Sequence, residues 1–445
     1  MSAVILQVGQ CGNQLGLDWC ELLTKSCAKK DGNWYCDRYF YSAQFEYVLP
    51  AEHFAAFSSP FGTREGRLAL VCVDSEPKVL NRARQLVRSE KLLESNVVQG
   101  KGGRGGNWAY GYHGNSGEES NGLLQQAMEA LRKEAERRSY YGGTVLLHSL
   151  SGGTGSGLGS RLCEEIRAEF PAGHILTASV VPHRSGESPL QHYNSLLGLA
   201  ALHRSADGML LFHNDQSLSS SGVPAPGRSG FCNGLPQGSL SPMNVHIASC
   251  MAGLLLPVRS LTPSSGLSLG AEPWELIRSL CPMPAAKLLH TTQACSSEKL
   301  TWDRLASITL QAVPKLSPAG KPYSSRAVLA VARGDGENSF IVSNVLPKLK
   351  RGHRCVPWNP FPIDCWTDPC NEMNASCNSQ LLTVCSNHSS VSSLLSHVVQ
   401  RCQEMIGAQA YLHWYQRYGV EVQDFRQSMD TLLNVIEEYE TQMQT

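Results

Sequence analysis

Val145 to Phe170 reads VLLHSLSGGTGSGLGSRLCEEIRAEF. An apolar run bounded by Gly142-Gly143 enters a glycine-rich turn, after which Leu158, Leu162 and Ile166 recur at helical spacing; the pattern predicts strand, loop and helix. Backbone N–H groups converge readily in a loop of Gly with Thr154 and Ser156. A helix start adds the positive end of its dipole, so the natural guest is an anion, phosphate foremost. This is not a Walker A loop, because no Lys falls between His148 and Gly159. Nor is it a dinucleotide fingerprint, because the glycines at 152, 153, 155, 157 and 159 never satisfy GxGxxG. Such a turn serves close packing as readily as anion binding, so other residues have to decide.

Working outward, a chain of 445 residues with 42% apolar residues has enough material for two or three globular domains. Lys plus Arg equals Asp plus Glu at 38 each, so no overall field points to nucleic acid. No apolar run is long enough to predict membrane insertion. Sixteen cysteines without a secretory leader suggest a reduced, intracellular protein. Cys365, Cys370 and Cys377 cluster without CxxC spacing, which favours free thiols over a zinc site. In such a chain the glycosylation patterns at Asn374 and Asn387 carry little weight, and Arg333-Gly334-Asp335 reads as a turn rather than an adhesion signal.

Upstream, Ala3 to Val8 is β-rich and runs into Gly9-Gln10-Cys11-Gly12-Asn13-Gln14 and an amphipathic stretch, again strand, turn and helix. Ser26 to Gly66 reads as a long surface loop. Arg67 to Val73 is a buried-type strand ending in Asp74-Ser75-Glu76-Pro77, with a helix expected over Lys78 to Leu93. Carboxylates at that strand end suit Mg²⁺ held partly through water, or else an N-cap with a first-turn acid. Gly100 to Gly106 is a second glycine loop, leading to Asn107-Trp108-Ala109-Tyr110-Gly111-Tyr112. Gly117 to Ser139 reads as helix, Ile175 to Val181 as strand, Leu196 to Leu202 as helix and Met209 to Phe212 as strand. This alternation predicts an α/β fold: a doubly wound, mostly parallel Rossmann-like sheet whose carboxyl-end loops line one ligand site.

Residues 217–241, rich in Ser, Pro and Gly, read as a flexible segment closing a first domain over 1–257. Helical patterns follow over Asn244 to Leu256 and Leu267 to Leu280. An intermediate α+β domain is expected over 258–386, with β-rich runs at Ala327 to Val331 and Phe340 to Val342. Residues 387–445 predict a helical hairpin, with apolar residues in helical step from Val391 to Ile406 and from Val422 to Ile436.

Four motifs together resemble the tubulin family, and the run Asn107 to Tyr112 looks most like its delta type. The four are Gly9 to Gln14, Asp74 to Pro77, Ser149 to Gly157, and Ala410-Tyr411-Leu412-His413-Trp414-Tyr415. The resemblance spans nearly the whole chain and implies GTP or GDP with Mg²⁺ in the first domain. By position, Gln10, Cys11 and Asn13 would contact phosphate and sugar, and Gly152, Gly153, Thr154, Gly155, Ser156 and Gly157 would cradle phosphates. Asp74 and Glu76 would lie near Mg²⁺ and the γ-phosphate, with Asn107 beside them. Glu187 would hold the ribose, and Asn214 and Asn244 would read the base, since an amide offers the donor and acceptor that guanine requires. Departures from the family pattern fall at Gly106 (usually Asn), Gln191 (usually an acid) and Leu240 (usually an aromatic ring). The last forfeits about 1 kcal/mol or more of stacking.

The resemblance also implies hydrolysis completed between subunits, with Glu275 supplying the acid to a neighbour's nucleotide in trans; a solvent-facing helix acid is the plain alternative. Other tubulin subunits and microtubule or centriolar proteins are the implied partners. The implied places are cytoplasm and cytoskeleton, centrosome or centriole, cilium, and also nucleus. A non-polymerising, nucleotide-dependent scaffold or signalling protein is the competing expectation. A dinucleotide oxidoreductase is disfavoured by the absent GxGxxG.

Overall fold

The computed structural model describes residues 3–27, 67–114, 118–138, 140–183, 188–214, 241–258, 270, 272–296, 301–334, 341–369, 371 and 380–441. Expectations for the 26–66 loop beyond Cys27, for most of 217–241, and for Cys370, Asn374, Cys377 and Asp335 lie outside these residues.

Strands β1 (Ala3–Val8), β2 (Leu70–Asp74), β3 (Val97–Gln99), β4 (Gly143–Ser149), β5 (His174–Val181) and β6 (Gly208–His213) are mutually parallel, in the order β3-β2-β1-β4-β5-β6. β1, β2 and β4 are buried along their whole length, as strands covered by helices on both faces must be. Alternation then assigns faces. Val4, Leu6 and Val8 enter one core with helices Glu118–Glu136, Gly159–Glu169 and Gln191–Ser205, while Ala3 and Ile5 enter another with helices Gly9–Cys27 and Ser241–Leu255.

The sheet does not stop at the expected domain boundary. β7 (Leu288–Ser296) pairs parallel to β6, with Met209 opposite Leu288, and β10 (Gln380–His388) lies antiparallel between β7 and β8 (Ser325–Arg333). β9 (Ile363–Asp368) closes a single ten-stranded sheet. Helices Val391–Gly407 and Val422–Thr441 pack as a pair on helix Gln191–Ser205, whose two sides are both buried.

Some expected boundaries shift. The helix predicted over 78–93 forms only at Asn81–Arg88, because the residues from Pro77 to Leu80 make turns first. Ile341–Val345, whose start was expected in a strand, is a wide helical turn continuing into helix Leu346–Gly352. From the stretch expected to be helical over 267–280, the described residues place helix at Glu275–Leu280. Arg333 is buried and donates to the carbonyls of Gly253 and Pro257 and to Asp368 at 3.3 Å. It thereby satisfies the end of helix Ser241–Leu255 instead of displaying an adhesion tripeptide. Asn387 is also buried, donating to Leu280 O at 2.9 Å and Ala286 O at 2.6 Å. The described cysteines are free thiols.

Candidate nucleotide site at the strand ends

In this strand order the connections reverse direction between β1 and β4, which is where an open parallel sheet leaves a crevice at its carboxyl edge. The two turns meeting there touch. Gly9 has φ +74°, and a Cβ on it would fall 2.8 Å from Gly155 N. Neither turn is the open loop expected. Helix Gly9–Cys27 starts directly at the end of β1, and after Ser149 only a short bend precedes a wide turn at Thr154–Leu158 that continues as helix Gly159–Glu169. Both are helix N-termini, whose first N–H groups lack intrahelical partners.

The glycines of the central stretch divide the two readings between them. At Gly153 a Cβ would meet Arg104 O and Asn107 N at 2.8 Å, and at Gly157 it would meet Trp108 O at 2.2 Å, so these positions let two backbones pack. At Gly152 a Cβ would meet nothing within 4 Å. Gly152 is therefore the open position in front of the strand ends. Thr154 turns its hydroxyl to Ser75, 2.7 Å away, and Ser156 spends its own on Gly152 O.

Asp74 ends β2, buried to 2% exposure. Its Oδ1 accepts from Glu76 N at 3.1 Å, whereas its Oδ2 is buried without a hydrogen-bond partner. Desolvation pushes its pKa up to about 6. The N-cap reading is set aside, because helix Asn81–Arg88 begins with Leu80 at its cap and no side-chain cap bond. Glu76 is exposed, its carboxylate against Gly103 of the second glycine loop. Among the described residues no three His, Cys, Asp or Glu side chains group as a metal cage. Two carboxylates, one with an unused buried oxygen, fit a Mg²⁺ that keeps water and takes its remaining ligands from phosphate.

The other sequence-predicted residues distribute unevenly. Gln10 is exposed on the first turn after β1. Cys11 beside it is an unreactive thiol, pushed up to about 12 by burial. Asn13 is buried; its Nδ2 donates to Gly9 O at 2.9 Å and Val73 O at 3.0 Å, tying the first turn to β2, and its Oδ1 has no partner. Asn214 stands at the end of β6, also with a buried, partnerless Oδ1. Asn244 is buried in helix Ser241–Leu255, which packs on helix Gly9–Cys27. Asn107 has its amide committed: Oδ1 caps helix Trp108–His113 through Ala109 N at 2.8 Å, and Nδ2 donates to Trp414 O at 2.9 Å. Gln191, at the ribose-acid position, is buried and donates to His183 O at 3.1 Å. Glu187 and Leu240 lie outside the described residues.

Glu275 is remote from this crevice. The neighbouring Trp274 stacks on His174, the first residue of β5, and covers Gly142 just before β4. That is the opposite edge of the sheet, about 20 Å away along a seven-residue strand. Its carboxylate accepts from Gly270 N at 3.0 Å and Glu272 N at 3.1 Å, bracing the turn before its helix.

Three residues important to the site, His148, Ser75 and Asn194, were not among the expected site residues. His148 is fully buried, and burial lowers its pKa to about 4, so the ring is neutral. Nδ1 must then donate to Gly155 O (3.1 Å) while Nε2 accepts from Ser179 (2.7 Å), which fixes the turn. Ser75 links β2 to Thr154, and Asn194 joins both glycine loops to the C-terminal segment. A buried Asn in a mainly apolar helix gives no pattern to read.

Residues 2–221 match the Tubulin/FtsZ family, GTPase domain. The chain is 27% identical to the tubulin delta chain of Macaca fascicularis and 26% identical to that of Homo sapiens, over 99% of both chains in each case. It is also 27% identical to the tubulin beta-1 chain of Chondrus crispus, over 99% of this chain and 93% of that one. A GTPase domain of this family implies binding of GTP or GDP, in agreement with a phosphate-side crevice at the switch point of a Rossmann-like sheet. The chain is thus a tubulin-family cytoskeletal protein, similar to the delta chains along nearly its whole length.

Proposed function

We propose that this chain is a guanine-nucleotide-binding subunit that acts, as the delta-type resemblance implies, in the assembly or maintenance of centriolar and basal-body triplet microtubules and of cilia. The observation that carries the reading is chemical. Asn13 Oδ1 in the helix that follows β1, Asp74 Oδ2 at the end of β2 and Asn214 Oδ1 just after β6 are all buried and partnerless. Leaving such atoms unpaired costs roughly 1–3 kcal/mol each, and a bound ligand removes that cost. On this reading Gln10 and the Gly152–Gly157 turn face phosphate, Asp74 and Glu76 hold Mg²⁺, and Glu187, Asn214 and Asn244 hold ribose and base. The chain would then work in the cytoplasm and cytoskeleton beside other tubulin subunits. Denaturing the purified protein should release about one guanine nucleotide per chain, identified by chromatography; nicotinamide or adenine nucleotides, or none, would sink it.

Glu275, on the edge opposite the crevice, cannot reach its own chain's nucleotide. A head-to-tail neighbour would bring it to the next subunit's site, where an acid can orient water for phosphoryl transfer. Glu275→Ala should leave nucleotide occupancy unchanged and abolish hydrolysis stimulated by a partner subunit, measured as phosphate release in the mixture. The competing reading, a non-polymerising scaffold, is favoured by the bonds that Glu275 already makes to Gly270 and Glu272. Co-sedimentation with alpha/beta microtubules and localisation to centrioles decide between them.

A further inference from the structure

The segment Ala410 to Tyr418 is distant in sequence from both glycine loops, yet it is hydrogen-bonded to the residues that position them. Asn194, at 0% exposure in the first turn of helix Gln191–Ser205, is the meeting point. Its Nδ2 donates to Gly106 O and to Ser151 O, both at 2.7 Å, and so holds one residue from each glycine loop. Its Oδ1 accepts from Trp108 N at 2.8 Å and from the Tyr415 hydroxyl at 2.7 Å. An amide has two N–H donors and two acceptor lone pairs, so all four are used, and no other side chain of that size could make the same set.

Further ties run parallel. Asn107, between the second glycine loop and its helix, donates to Trp414 O at 2.9 Å. Tyr193 donates to Ala410 O at 3.2 Å, and Tyr110 stacks on Tyr418 with ring centroids 4.4 Å apart. The segment also has an outer side: Tyr411 and Trp414 are 41% and 46% exposed, and Tyr411 holds φ +58°, a conformation costly for a residue with a side chain. A neighbouring protein resting on Tyr411 and Trp414 would press on a backbone whose inner bonds end at Gly106 and Ser151.

We propose that Asn194 is a positioning residue that couples the 410–418 surface to the phosphate side of the nucleotide site, so that each changes the other's occupancy. The inference rests on the guanine-nucleotide reading above. Such coupling is reciprocal, so it is testable from the nucleotide side without knowing the partner.

The test uses the full chain, a fluorescent GTP analogue with Mg²⁺, and amide hydrogen exchange across 410–418. In the unmodified protein the nucleotide should slow exchange there about fivefold or more, the lower range of ordinary coupling. Tyr415→Phe, which keeps the ring and removes one hydroxyl, should weaken nucleotide binding about fivefold and erase the protection. Asn194→Asp keeps both acceptor contacts but puts an acceptor opposite Gly106 O and Ser151 O, and should weaken binding further; if it fails to fold, Tyr415→Phe carries the test.

Tyr439→Phe is the control. Its equally buried hydroxyl serves Leu288 and Asn387, away from the loops, and its loss should lower stability without touching nucleotide affinity. Unchanged exchange at 410–418 on nucleotide binding, or equal loss of affinity in the Tyr415 and Tyr439 variants, overturns the coupling alone. No nucleotide binding by the unmodified chain overturns the underlying reading as well.

Discussion

The two glycine loops of this protein use the same residue for opposite purposes. In Gly152 to Gly157, Gly153 and Gly157 exist because another backbone occupies the space of their missing side chains. In Gly100 to Gly106 the balance differs: Gly100 lies against the Ser75 backbone, but Gly102, Gly105 and Gly106 face open space, and the last two are needed for φ values of +56° and +62°. One loop is mainly packed and the other mainly turns. From Gly152 to Gly157 a single glycine, Gly152, is open, and it is the one that faces phosphate on the proposed reading. Glycine-richness alone is therefore a poor guide to ligand contact; the neighbours of each absent Cβ decide.

The comparison breaks most sharply at Gly157. Gly157→Ala forces a Cβ to 2.2 Å from Trp108 O, with Gly111 Cα at 2.8 Å, neither of which can rotate away. A loss of about 3 kcal/mol or more is expected in urea unfolding, at the upper end for overpacking. A near-neutral variant would show that the two helices separate easily and that the packed description is wrong.

Next in size is Asp74→Asn. Because the folded-state pKa is raised from 3.8 to about 6, the native state holds its proton more tightly than the unfolded chain. This group's contribution to stability is therefore greatest below the unfolded value and declines as pH rises through that window. Replacing the acid removes the decline, so in ligand-free, Mg²⁺-free buffer at pH 7 the variant should gain on the order of 1–2 kcal/mol. Its Mg²⁺-dependent nucleotide affinity should fall at the same time. Parallel losses of stability and affinity would mean that Asp74 is structural only.

Gly105→Ala should cost about 1 kcal/mol through its left-handed φ alone. Gly152→Ala should leave stability unchanged or raise it by up to about 1 kcal/mol, since its φ is not left-handed and the space is open. Nucleotide affinity should nevertheless drop. An effect on stability comparable to that of Gly157→Ala would erase the distinction between open and packed glycines.

Much of the first half was legible from sequence. The apolar runs at Ala3, Leu70, Val145, Ile175 and Met209 became five parallel strands, and the polar or glycine residues after each run fell at one edge. Parallel strands buried on both faces leave that signature whatever lies beside them. The side-chain contacts were less legible. Asn107 was expected near phosphate, but its amide is consumed by a helix cap and by Trp414, 307 residues away. Ile341 and Val342 have strand-like composition, yet the chain there is already turning into helix Leu346–Gly352.

The anion-suited turn at Ser149 to Gly159 is determined by local chemistry: apolar run, glycines, helical spacing. So are the alternation of strands and helices and the motifs shared with tubulins, because burial on two faces and backbone freedom act over a few residues at a time. Only the tertiary structure decided that Gly152 is open while Gly157 is filled, that β6 and β7 join two expected domains into one sheet, and that Glu275 stands on the edge away from the crevice. It alone brought Ser151, Gly106 and Tyr415 to one buried amide at Asn194. Those outcomes depend on which surfaces meet across hundreds of residues, and packing, unlike periodicity, leaves no local trace in the order of the amino acids.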